Sequence, residues 1–187
     1  KFEKKKDYSN EMKFLDLSHK NFLENNVNEI SLKYWLDIIP HYHDKLICKS
    51  SKKKMFKDMS PIFIIGLPRS GSTITELILS TSKTSKFVLG ETSLISQILM
   101  NNYSSELFSN PRKKEIEIQL DLIEDKISTY LNNFEITSSE KSIIIDKSLE
   151  NFFYIDLIIQ IFPKAKFIIT ERNIDDNVIG IYKKILM

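Results

Sequence analysis

The rhythm of apolar and polar positions changes near residue 61, and the change divides the chain. Over 8–50, apolar residues recur at mixed spacings of three and four, as at Val27, Ile30, Leu32, Trp35, Leu36 and Ile39, which predicts helix. Pro40 ends or kinks one helix there. The polar stretch SSKKKMFKDMSP at 50–61 reads as a connector. Beyond it, short β-branched runs alternate with amphipathic segments. IFIIG at 62–66, KFVLG at 86–90, SIIID at 142–146 and KFIITE at 166–171 predict strands, the first buried on both faces. Helices are predicted over 72–80, with Ile74, Leu77 and Ile78 on one face, and over 92–102, 149–162 and 175–186. A long helix is predicted over 111–134, with Asn110 as its cap and Pro111 in its first turn.

Four strands alternating with helices predict an α/β fold with a parallel, doubly wound sheet of the P-loop nucleotide-binding type over 59–187. Residues 1–58 are expected to be a helical segment and linker, too short to show whether they end a helical repeat array. In doubly wound sheets, ligands bind beyond the carboxyl ends of the strands. The residues that follow the four strands are the Gly66 loop, Glu91, Lys147 and Arg172. Topology alone therefore predicts an anion-binding loop, a carboxylate, an ammonium and a guanidinium along one sheet edge.

Composition narrows the chemistry. The 187 residues suit one domain of ordinary size. Cys48 is the only cysteine, which excludes a disulfide framework and a zinc site built mainly on thiolates. His41 and His43 in HYHDK lack further ligands to make a metal site, and no metal is expected. The net charge is +2, with 13 lysines against 9 acidic residues in 1–60. The KKK runs at 4–6 and 52–54 have interleaved acids and no aromatic platform, so they read as solvated faces rather than a nucleic-acid surface. No apolar run is long enough to span a bilayer, and KFEKKKDYSN has no apolar core of a signal peptide, so the expected location is cytoplasmic. Arginine and glycine are scarce, 3 and 4 residues against 24 lysines, so their placement is informative.

Three of the four glycines and two of the three arginines fall in or near the strand-end positions already named. GLPRSGST at 66–73 follows a strand and opens a helix, with the GxxxxG spacing of a phosphate loop. Successive backbone amides and the helix N-terminus favour an anion there. An ATP-type loop carries Lys after its second glycine; this chain has Ser72. The cation is Arg69, whose planar guanidinium holds tetrahedral oxyanions through paired hydrogen bonds.

GLPRSGSTITELIL resembles the 5′-phosphosulfate loop of the sulfotransferases that use 3′-phosphoadenosine 5′-phosphosulfate (PAPS). The likeness is greatest to their tetratricopeptide-associated and tyrosylprotein-sulfotransferase-like branch. LGETSLISQIL, IIIDKSLENFFYIDLIIQIFPKAKFII and ERNIDDNVIGIYKK resemble the family's later motifs in order. The resemblance implies that Arg69, Ser70, Gly71, Ser72 and Thr73 bind the 5′-phosphosulfate and that Arg172 binds the 3′-phosphate. It implies transfer of a sulfonate to a hydroxyl of a carbohydrate or protein tyrosine, with Glu91 as general base. Lys147 then neutralises the departing oxygen, with Arg69 assisting, and Asp146 orients Lys147. Gly180 stands where the family usually has a serine that contacts the 3′-phosphate. The family also continues past the last helix, so the domain is expected to be C-terminally incomplete. Two alternatives stay open: a nucleotide kinase or NTPase with an altered loop, and a truncated, non-catalytic PAPS-binding fragment.

Overall fold

The computed structural model describes residues 7–26, 46–49, 52–81, 86–109, 115–136 and 143–184. Its order is α1 (Tyr8–Asn26), β1 (Leu46–Lys49), β2 (Ile62–Gly66), α2 (Ser72–Ser80), β3 (Lys86–Gly90), α3 (Leu94–Ser109) and β4 (Ile116–Gln119). There follow α4 (Leu120–Asn132), β5 (Ile143–Asp146), a 3₁₀ turn (Leu149–Tyr154), α5 (Ile155–Ile161), β6 (Lys166–Thr170) and α6 (Ile174–Lys184).

Four of these strands form one parallel sheet in the order β3-β5-β2-β6. β2 lies inside it and is buried along Phe63, Ile64 and Ile65, as expected for a strand covered on both faces. Phe63 and Ile65 face a core shared with Phe56, Met59, Leu99, Ile123, Ile127 and Ile158, while Ile64 points the opposite way by the period of two. The fold is the mixed α/β, doubly wound class that the alternation predicts.

Three local readings are corrected. Leu46–Lys49, inside the predicted helical 8–50, is a strand, and so is Ile116–Gln119, inside the predicted helix over 111–134. The two pair in parallel from Leu46 opposite Ile116 to Lys49 opposite Gln119. In β4, Ile116 and Ile118 are buried and Glu117 and Gln119 exposed. This is the period of a strand, hidden in sequence by the helical spacing that begins at Leu120. The third correction is the start of the 149–162 helix, which is a 3₁₀ turn through Tyr154. Asp146 draws the Ser148 amide (2.7 Å) and the Asn151 side chain (3.1 Å) onto one oxygen and tightens the chain there.

α2 matches its prediction, but Ile74, Leu77 and Ile78 are 63–65% exposed. Asn110, Pro111, His41, His43 and Pro40 lie outside the described residues. α1 is helical as expected and rests on α6. The His19 and Tyr182 rings stack with centroids 4.0 Å apart, Asp16 accepts the Tyr182 hydroxyl, and Lys183 meets Glu11 at 2.7 Å. Among the described residues, no helix is long and apolar enough to cross a membrane.

Candidate active site

The loop after β2 is shaped by its two glycines and by β6. Gly66 sits at φ +138° opposite Thr170; a Cβ there would come 2.5 Å from the Thr170 carbonyl oxygen, so no other residue fits without moving the edge strand. Gly71, at φ +101°, turns the chain into α2. No side chain caps that helix, so its first amides have no side-chain partner at the N-terminus. Arg69 also adopts a left-handed conformation, φ +66°, which non-glycine residues rarely take.

Contacts from β6 and α6 hold this loop. Ser70 Oγ donates to the Leu67 carbonyl at 2.7 Å and lies 2.6 Å from Thr170 Oγ1. Its hydroxyl thus serves the loop's shape. Asn177 of α6, 1% exposed, donates from its side chain to the Pro68 carbonyl. A guanidinium-bearing loop is thereby pinned to the helix that begins just after Arg172.

A cavity of about 680 Å³ opens over this edge, within the size range of ordinary ligand sites. Gly66 through Ile74 line one side, with Arg69, Ser70, Gly71, Ser72 and Thr73 among them. Glu91 and Ser93 contribute from the end of β3, Arg172 from the end of β6, and Leu149, Glu150, Phe152 and Phe153 from the 3₁₀ turn. Of the four groups that topology predicted along one edge, the loop, Glu91 and Arg172 thus share one space, while Lys147 does not line it.

Lys147 lies just beneath. Its side chain is 9% exposed, and its ammonium donates to Glu91 Oε1 at 2.9 Å, reaches Thr73 Oγ1 at 3.5 Å and lies 3.6 Å from Glu76 Oε2. Burial pushes its pKa down, but the carboxylates of Glu91 and Glu76 outweigh that, and the net shift is upward. Glu91 is far more open, its side chain 63% exposed. Arg172 is half-exposed and lies 3.6 Å from Asp176, one helical turn on.

Asp146 does not touch the Lys147 ammonium. Its oxygens accept from Thr92 Oγ1 at 2.8 Å, from the Ser148 amide and from Asn151. Burial pushes its carboxyl pKa up, against the pull of these donors. It ties the turn after β3 to the turn after β5, and so sets Glu91 and Lys147 on one footing. Ser148 completes the tie by accepting the Ser93 amide at 2.8 Å. Among the described residues, no group of three or more His, Cys, Asp or Glu side chains is placed to hold a metal.

Sequence reading passed over Glu76, Thr92, Ser148, Asn151, Thr170 and Asn177. Only Glu76 carried a local signal: it follows Thr73 by three positions, which puts both on one helix face. The others act across pairs of elements that are distant in the chain.

A parallel α/β sheet thus carries a glycine-turned loop, an uncapped helix start and the cations Arg69 and Arg172 along one edge. The sulfotransferase-family profile matches residues 61–186, and the chain belongs to the sulfotransferase family. It is also similar to an uncharacterized protein of Aquifex aeolicus (strain VF5), 33% identical over 129 residues, which cover 66% of this chain. The chain spans 17% of that relative's length.

Proposed function

We propose that this domain transfers a sulfonate from PAPS to a hydroxyl of an acceptor, with Glu91 as general base. The observation that carries the reading is the cavity shared by the Gly66–Thr73 loop, Glu91 and Arg172, with Glu91 hydrogen-bonded to the Lys147 ammonium outside its lining. The loop amides and Arg69 hold the 5′-phosphosulfate, through Arg69, Ser70, Gly71, Ser72 and Thr73. Arg172, on the β6 side, holds the 3′-phosphate. No Lys follows Gly71 to serve a nucleoside triphosphate, which disfavours the kinase or NTPase alternative.

Sheet order supports a direction for the transfer. The loop follows β2; Arg172 follows β6 on one flank, and Lys147 and Glu91 follow β5 and β3 on the other. With the nucleoside toward β6, the sulfonate points toward Glu91. An acceptor enters over Leu149, Phe152 and Phe153, whose carbon surface suits the face of a sugar or of a tyrosine ring. Glu91 accepts the acceptor's proton as its oxygen bonds to sulfur. The bond from sulfur to the bridging phosphate oxygen breaks, and Lys147 and Arg69 neutralise the charge left there. The acceptor is a carbohydrate or a tyrosine-bearing peptide, the substrates of the branch that the loop resembles.

The test is transfer from radiolabelled PAPS to a panel of sugar and tyrosine-peptide acceptors. Glu91→Ala is expected to lower kcat by about 10²–10⁴-fold while 3′,5′-diphosphoadenosine (PAP) still binds. Thermal shifts with PAP and with ATP–magnesium run alongside. A chain stabilised by PAP that transfers nothing is a binding module, and one stabilised by ATP–magnesium but not by PAP overturns the reading.

A further inference from the structure

Glu76 has no part in the scheme above, yet it is the more enclosed of the two carboxylates within ion-pair distance of Lys147. Its side chain is 16% exposed, against 63% for Glu91, and Oε2 lies 3.6 Å from the ammonium. Its other oxygen, Oε1, is buried with no hydrogen-bond partner among the described residues. A half-buried carboxylate with one enclosed, orphaned oxygen is costly, and a fold that needed only stability would do better with an uncharged side chain there. Glu76 and Thr73 stand three residues apart on α2 and meet Lys147 together, so the first turns of the phosphate-loop helix form a seat for the ammonium.

We propose that Glu76 is a positioning residue: the fixed counter-ion that keeps Lys147 charged and seated against α2 while Glu91 leaves it to meet the acceptor. This rests on the sulfotransferase reading for its consequence in turnover. The division of labour follows from exposure. Glu91 is free to turn toward the cavity, and once it has taken the acceptor's proton it is neutral and no longer holds the ammonium. Glu76 is enclosed and cannot follow. The ammonium then keeps one enclosed partner, and its charge stays beside Thr73, at the entrance of the phosphate-loop helix.

The acidic groups that act on Lys147 come from two elements: Glu76 on α2 and Glu91 after β3. Asp146 is engaged by Thr92, Ser148 and Asn151. Removing Glu76 therefore leaves Glu91 as the sole carboxylate within ion-pair distance of Lys147 among the described residues.

The experiment compares the wild type with Glu76→Gln and Glu76→Asp by two independent readouts. The first is the pH dependence of Lys147 modification by an amine-acylating reagent, followed by mass spectrometry. It needs no activity. In Glu76→Gln the half-point moves to lower pH and modification at fixed pH rises; in Glu76→Asp it moves back toward the wild type. The second readout is kinetic. Glu76→Gln lowers kcat about ten- to a hundredfold, a cost in keeping with a misplaced group, with little change in PAP affinity. The alkaline limb of its kcat–pH profile moves to lower pH. Melting temperatures that match within a few degrees exclude misfolding. An unshifted acylation profile in Glu76→Gln overturns the proposal. So does an unchanged kcat in an active enzyme. If the wild type neither binds PAP nor transfers sulfonate, the sulfotransferase reading fails by itself, and the acylation profile still decides whether Glu76 sets the charge of Lys147.

Discussion

Gly180 of α6 lies directly against the stem of Arg69: a Cβ at Gly180 would come 3.2 Å from Arg69 Cβ and 3.5 Å from its Cγ. Glycine at this position thus leaves room for the Arg69 stem. It lets α6 approach closely enough for Asn177 to hold Pro68. Arg69 has little slack near its backbone, because its own φ is already in the left-handed region.

Gly180→Ala separates helix stability from loop geometry. Alanine is favoured over glycine inside a helix by about 0.5–1 kcal/mol, which alone would raise the melting temperature by about 1–4 °C for a chain of this size. The added carbon also pushes the Arg69 stem aside. Because Arg69 has little slack to yield, the close contact offsets this helix gain; the expected outcome is a melting temperature no higher than the wild type's and several-fold weaker PAP binding, seen by calorimetry beside a melting curve. Equal or tighter binding would show that Arg69 has room to yield.

Arg172 is expected to supply selectivity for the 3′-phosphate. A charge-assisted bond is worth about 1.5–3 kcal/mol, so Arg172→Met should lower the preference for PAP over 5′-AMP by about ten- to a hundredfold. Affinity for 5′-AMP itself should barely change. The ratio of the two dissociation constants, measured by calorimetry, checks this.

Lys147 links stability to alkaline pH. Its pKa is raised in the folded protein by Glu91 and Glu76 despite burial, so its contribution to stability is complete below the unfolded value of about 10.4. It is lost as pH rises through the folded value. Melting curves between pH 8 and 11 should fall more steeply for the wild type than for Lys147→Met. The difference between the two curves isolates Lys147 from Tyr182, whose pKa is also raised and which titrates in both proteins.

Asp146→Ala removes the acceptor shared by Thr92, the Ser148 amide and Asn151. Leaving buried donors unsatisfied costs about 1–3 kcal/mol each, so denaturant unfolding should show a loss of at least that size. Activity should fall further than stability alone explains, because the turns that carry Glu91 and Lys147 are no longer tied. A stable variant with full activity would remove Asp146 from the positioning scheme.

The sequence by itself determined what depends on local pattern. β-branched runs of four or five residues made the four strands of the main sheet legible, and GxxxxG between a strand and a helix marked the anion loop. Because a parallel α/β sheet gathers its strand ends on one edge, the pattern alone groups Glu91, Lys147 and Arg172 with that loop. Tertiary structure decided whatever depended on partners distant in the chain. Ile116–Gln119 became a strand because Leu46–Lys49 lies beside it, and helical spacing next to it masked the alternation. The Leu149–Tyr154 segment tightened to 3₁₀ because Asp146 holds its start. Gly180, a missing hydroxyl when read as sequence, became the space that Arg69 occupies. Glu76 drew no notice until folding brought Lys147 against it from 71 residues away. Pattern fixes which elements form and which way they run, whereas the charge and freedom of each group at the site depend on the side chains the fold sets within a few ångströms of it.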